Sequence, residues 1–357
     1  MEVIRSERTG EECVRIDHPS GLPILVWPKK GYQSAYAVFA TRYGSIDTAF
    51  TTEQGPVTVP AGIAHYLEHK LFENEDCDAF ERYARTGASA NAYTSFSQTA
   101  YLFTCTERVE ESLEILLDFV QKPYFTPETV AKEQGIIGQE IRMCEDSPSR
   151  RVLFNLLRAL YHEHPIKIDI AGTVESIAQI TPELLYGCYN TFYNLRNMVL
   201  VVAGNVTAEQ VLRVADRMLK PAPAWQLERT PADEPADAVT SRVEETMPVS
   251  APLFYLGYKE VIPREEGTRC RTAEELAALA GEVGHICRRT LEVPQVLSCK
   301  GMTTLLFSER PALRAVFGAA SAAARGEVSG DAVQQFCSPT AAQMILCDGM
   351  GTGRPAA

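Results

Sequence analysis

The sequence predicts an α+β fold in which helices cover an antiparallel sheet, and three observations carry that reading. Residues 24–27, 35–41, 90–94, 99–104 and 198–203 are strand-length runs rich in branched and aromatic side chains. Between them lie longer segments with apolar residues at helical spacing. A proline- and acid-rich stretch then interrupts the pattern at 220–252. Strands mixed with helices in this order pack as helices on a sheet.

Each element has its own signal. The turn at Ser20-Gly21 leads the first strand. Helices are expected over residues 61–72 and 78–85, followed by two strands joined by a polar turn. Helical patterns then cover 109–121, 127–144, 150–161 and 182–193. Thr126-Pro127-Glu128 supplies an N-cap, a first-turn proline and an early acid, which fixes that helix start. A buried strand ends at Gly204, and a capped helix follows over 208–220. The stretch up to Pro252 has a linker composition. Beyond it, 253–258 reads as a strand and 272–287 as a helix, loosely echoing the first half. The expected organisation is a first domain over 1–220, a linker over 221–252, and a partial or divergent second domain over 253–357.

Composition narrows the function. A chain of 357 residues is long for one core and suggests two domains. With 45% hydrophobic and 22% charged residues it is globular in character. A net charge of −12 argues against nucleic acid as a partner, because nothing would neutralise phosphates. The first twenty residues hold no apolar stretch of signal-peptide length, and no later run approaches the roughly 20 apolar residues that span a bilayer. Ten cysteines without a CxxC pair read as reduced thiols, so the expected location is the cytoplasm, away from membranes.

The chemistry concentrates in His65-Tyr66-Leu67-Glu68-His69. Positions i and i+4 of a helix share one face, so His65 and His69 can turn both imidazoles toward one ion, with Glu68 beside them to reach a water. A catalytic zinc needs a third protein ligand and an open position. Glu140, on the helix that starts at Thr126, is the candidate, and Glu133 lies seven residues earlier on the same face, placed to orient a ligand or the water. The other histidines, His18, His162, His164 and His285, lack this spacing.

These residues resemble the insulinase (pitrilysin) family of inverted-motif zinc peptidases. The matching stretches are GIAHYLEHKLFE (62–73), GASANAYTSFSQTAYLF (87–103), KEQGIIGQEI (132–141), HPIKIDIAGTVESIAQIT (164–181) and YNTFYNLRNMVLVVAGNV (189–206). The EHKLFE variant is similar to short bacterial, processing-peptidase-like members. The resemblance implies one zinc per chain on His65, His69 and Glu140, with Glu68 as general base and Glu133 as supporting catalytic acid. It also implies that Asn91, Ala92, Tyr93 and Thr94 form the strand to which a peptide substrate is added. Main-chain pairing of an extended peptide is a sound way to bind it. The implied activity is zinc metalloendopeptidase, cutting peptides or unfolded segments, as a homodimer or beside a sister subunit. Past about Lys259 the family pattern stops, either because the second domain is short and divergent or because the sequence there is not of the family. Two readings therefore compete with the enzyme: a non-catalytic partner or scaffold subunit, and an inactive truncated homologue. An intact motif with both downstream glutamates speaks for the enzyme.

Overall fold

Runs in which alternate residues are buried form the centre of one seven-stranded sheet. A computed structural model describes residues 1–259 apart from 7, 8 and 76, then residues 276–278, 280, 281, 284, 285, 291 and 293, and four further strands. The chain opens with strands β1 (Glu2–Arg5), β2 (Glu12–Asp17), β3 (Pro23–Pro28), β4 (Ala35–Thr41), β5 (Ala49–Thr52) and β6 (Gly55–Thr58). Helices α1 (Ile63–Leu71) and α2 (Ala79–Thr86) precede β7 (Ser89–Thr94) and β8 (Thr99–Cys105). Then come α3 (Val109–Phe119), α4 (Pro127–Glu145), α5 (Pro148–Leu160), α6 (Val174–Ile177) and α7 (Pro182–Phe192). Strand β9 (Met198–Gly204), helix α8 (Ala208–Met218) and the short β10 (Glu228–Arg229) follow.

The strand order is β1-β2-β3-β9-β4-β8-β7, so β7 is an edge strand. The α+β expectation holds, with one parallel pair added: β9 runs parallel to β3 and antiparallel to β4. The reason is geometric. β9 inserts between two strands of opposite direction and must run along one of them. The register lines up side chains across the sheet. Ile24, Leu200, Phe39 and Tyr101 form one row and Val26, Val202, Ala37 and Phe103 the next, all fully buried. Eight such side chains anchor the sheet to its helices, each worth about 1.5–3 kcal/mol for the larger ones.

Helix boundaries follow their caps. Thr126 accepts from the Thr129 N–H and its own N–H donates to the Thr129 hydroxyl, a reciprocal cap worth about 1 kcal/mol. Two glycines set the entry to α1. Gly62 has φ +89°, and a Cβ there would lie 2.4 Å from the Ala171 carbonyl oxygen. Gly172, at φ +78°, meets the Ala61 carbonyl in the same way at 2.5 Å. The 171–172 loop can therefore cross the start of α1 only because both positions lack a side chain.

The chain divides into two compact units, Met1–Val261 and Ile262–Ala357. Residues 221–252, of linker composition, are bonded into the first. β10 pairs with β5, the Trp225 indole donates to the Thr191 carbonyl, and the Thr240 N–H donates to Ala159. Residues 253–258 form no strand, contrary to their β-rich composition, because no strand among the described residues offers them a ladder. The expected 272–287 helix is helical at 276–278, 280, 281, 284 and 285; its other residues lie outside the described set. The second unit holds two antiparallel hairpins, β11 (Gln295–Cys299) with β12 (Met302–Leu306), and β13 (Ala332–Cys337) with β14 (Ala342–Cys347). No described helix is long and apolar enough to cross a membrane. The described cysteines Cys13, Cys77, Cys105, Cys144 and Cys188 are all unpaired.

Candidate metal centre

Helix α1 is buried along nearly its whole length, with His69 the one residue left partly open. The Tyr66 hydroxyl donates to the Val130 carbonyl and fixes α1 against α4. With that register set, the two acids of α4 address one imidazole from both sides. His69 Nδ1 lies 3.0 Å from Glu133 Oε1, and His69 Nε2 lies 3.5 Å from Glu140 Oε2. His65 Nε2 is also 3.5 Å from Glu140, at Oε1. The two imidazole centroids are 4.6 Å apart.

One ligand atom from each of His65, His69 and Glu140 lies within 4.8 Å of the others. Four-coordinate zinc with ligand distances of about 2.0–2.2 Å separates its ligand atoms by roughly 3.3–3.6 Å. The 3.5 Å separations match that edge length and are too long for good hydrogen bonds. Two imidazoles and a carboxylate are also zinc's usual donors. The residues fit the ion.

The surroundings differ for each group. Burial pushes the Glu68 carboxyl up, against the lowering influence of His65, Thr94 and His69. Glu68 is 8% exposed, and its Oε2 accepts from the Thr94 hydroxyl at 2.8 Å. Burial also acts to raise Glu133, but its bond to His69 prevails and holds the carboxyl below its ordinary value. The neighbouring His65 does the same for Glu140. For His69, burial favours the neutral ring, yet the bond to Glu133 and the nearby carboxylates leave it raised. Glu133 thus fixes which His69 nitrogen carries the proton and leaves Nε2 for the metal. His65 lacks such support: its Nδ1 is buried with no partner among the described residues.

Next along α4 from Glu140, Ile141 and Cys144 wall a cavity of about 490 Å³ together with Phe154 of α5, residues 161–163 and 167–169, and Gly172 and Thr173. Arg150 braces it through two 2.6 Å bonds to Asp169. Residues 91–94 all lie on β7, and α1 packs beneath that strand. Asn91 and Tyr93 point away to solvent, whereas Ala92 and Thr94 are half-buried. Sequence spacing did not expose the Thr94–Glu68 bond, although the two-residue period of the strand places Thr94 on the inner face.

The remaining histidines lie elsewhere. His18 sits between Ser20, at 2.7 Å, and Asp216, at 3.0 Å, which resembles a hydrolase triad in composition. Ser20 is 1% exposed, so no substrate reaches it, and the trio ties the turn before β3 to α8. The N–H groups of His162 and His164 are taken up by Glu234.

Comparison with known proteins agrees with this geometry. Residues 59–174 match the family model described as insulinase (peptidase family M16), and 179–270 match the one described as peptidase M16 inactive domain. YmfH of Bacillus subtilis (strain 168), named an uncharacterized zinc protease, is 52% identical over 214 residues, which is 59% of this chain and 50% of that protein. The mitochondrial-processing peptidase subunit beta of Caenorhabditis elegans is 30% identical over 162 residues, 44% of this chain and 35% of the other. An M16-like peptidase from Alicyclobacillus acidocaldarius has a similar structure (TM-score 0.64, 45% identity), covering 67% of this chain and 57% of that one. The chain thus spans about half the length of its relatives or less. With the inverted motif, its third carboxylate and these matches in agreement, the chain belongs to the insulinase family of zinc-protease-like proteins, peptidase family M16.

Proposed function

We propose that the chain is a zinc metalloendopeptidase acting on extended peptides or unfolded segments, with Glu68 as general base. The observation that carries this is the Glu140 carboxylate 3.5 Å from a nitrogen of each imidazole, with one ligand atom of all three residues within 4.8 Å of the others and a buried carboxylate next to them. When bound, zinc supplies polarisation of the scissile carbonyl and acidifies the attacking water. Glu68 takes the proton of that water and passes it to the leaving amine; its raised pKa suits it to hold a proton between the two steps. Glu133 keeps the His69 ring oriented throughout. The peptide lies along the edge strand β7, against residues Asn91, Ala92, Tyr93 and Thr94, and pairs with it through its backbone.

A second subunit, either another copy or a sister protein, completes the chamber in this proposal, and the cytoplasm is its setting. A chamber-completing subunit without catalysis has no use for the ligands and base, and this chain has all four groups. The test is zinc content together with turnover of a quenched peptide library, alone and with a candidate sister subunit. One zinc per chain with turnover that chelation abolishes is the expected result. Bound zinc without turnover in either setting would overturn the enzymatic reading.

A further inference from the structure

Period-two alternation puts Ala90, Ala92 and Thr94 on one face of β7, half-buried, while Ser89, Asn91 and Tyr93 are exposed. The two alanines pack against the core and keep that face shallow enough for α1 to lie close. Thr94 is the polar residue of the face. It stands opposite Thr99 of β8, which stands opposite Thr41 of β4, so three threonines form a row across the sheet.

A threonine hydroxyl has one proton to donate. Thr41 gives its proton to the Phe192 carbonyl at 2.7 Å, and Thr99 gives its own to the Tyr43 carbonyl at 2.8 Å. Both are buried pins that hold the sheet to its surroundings. Thr94, at the end of the row, gives its proton to Glu68 Oε2 at 2.8 Å. The Thr99 and Thr94 oxygens are 3.4 Å apart, which is too long to compete with either bond.

This is the one hydrogen bond that the Glu68 carboxylate receives among the described residues. The last torsion of a glutamate is broad and only weakly restrained, so without a partner the buried carboxylate could swing toward either imidazole. With Oε2 held, Oε1 is the oxygen left to meet a water proton. We infer that Thr94 is a positioning residue whose hydroxyl aims Glu68, so that the edge strand offered to the peptide also sets the general base. The inference rests on the peptidase reading of this site.

Thr94→Val removes the donor and keeps the branched shape, whereas Thr94→Ser keeps the donor. For the valine variant we expect unchanged zinc content, KM within about twofold of the wild type, and kcat lower by about 10–100-fold, as misaimed catalytic groups cost. The serine variant should recover kcat to within about threefold. Crystal structures should show the hydroxyl bonded to Glu68 in the wild type and the serine variant, and the carboxylate turned away in the valine variant. A wild-type crystal without the bond would overturn the inference, as would a valine variant with normal kcat or a change in KM alone. So would a serine variant as impaired as the valine one. If the wild type turns over no peptide, the peptidase reading fails, and the crystal structures still decide the role of Thr94.

Discussion

Two segments of this protein place histidines around a glutamate, and among the described residues only the first gathers them into a group that could hold a metal ion. His65-Tyr66-Leu67-Glu68-His69 lies on α1, where spacing of four turns both rings one way. His162-Glu163-His164 lies in an irregular segment after α5, where spacing of two does not. Each also meets an acid from about 70 residues further on, Glu140 for the first and Glu234 for the second. The outcomes differ in distance and in partner. Glu140 stands 3.5 Å from two imidazole nitrogens, a separation that suits an ion between them. Glu234 accepts backbone N–H bonds at 2.6–2.8 Å from residues 162, 163 and 164 and meets neither ring, and the His164 ring accepts instead from the Ile166 N–H. Residue type is the same in both places; backbone geometry decides which one can hold a metal.

The largest test of that contrast is Glu68→Gln. Glutamine keeps the shape and can still accept from Thr94, but it cannot take a proton at neutral pH. We expect zinc content and thermal midpoint to stay as they are while kcat falls by about 10²–10⁴-fold. An active variant would mean that another group activates the water. His69→Ala should lose nearly all zinc by elemental analysis, whereas His162→Ala should retain it. Equal zinc loss in the two would dissolve the distinction between the segments.

A smaller effect is expected one bond further out. Glu133 does not face the ion position; it accepts from His69 Nδ1 and fixes the ring. Glu133→Gln should weaken zinc affinity by about 10–100-fold, measured by competition with a chelator. An unchanged affinity would show that packing alone orients His69.

Much of this was legible in the sequence, for identifiable reasons. The helices carry threonine caps and first-turn prolines, which act within a few residues, so α4 and α7 could be placed closely. HxxEH and Glu140 were legible because helical periodicity is also local. β1 and β2 were not recognised, because charged residues (Glu2, Arg5, Glu12, Arg15, Asp17) dominate both strands and the two buried positions of β2, Cys13 and Ile16, are three residues apart, so no two-residue period shows. The parallel β3–β9 pair and the Thr94–Glu68 bond depend on which strands become neighbours, which no local pattern states. The same holds for residues 221–252, where proline and acid suggested a tether, but Glu234 and β10 bond the stretch into the first unit.

Glu234 gives the last and smallest test, and it belongs to the second of the two segments. Its side chain is 13% exposed and receives three backbone N–H bonds as well as the Lys259 ammonium. Burial opposes its charge, but the Lys259 contact and the three N–H groups outweigh it and hold the carboxyl down at about 2, from an ordinary 4.5. A carboxyl depressed on folding adds stability that is complete above its unfolded value. That stability is lost as pH falls through the folded value, here between about 4.5 and 2. Glu234→Gln should therefore cost about 2 kcal/mol at pH 6, since it weakens several charge-assisted bonds at once. The gap between wild type and variant should shrink steadily from pH 4.5 down to pH 2, measured by urea unfolding of the full chain. Zinc content should not change, because this carboxylate bonds backbone and lysine and none of the α1 or α4 ligands. A gap that stays constant with pH would mean that the charge of Glu234 does not clasp residues 162–164. A loss of zinc in the variant would mean that the two segments are coupled after all.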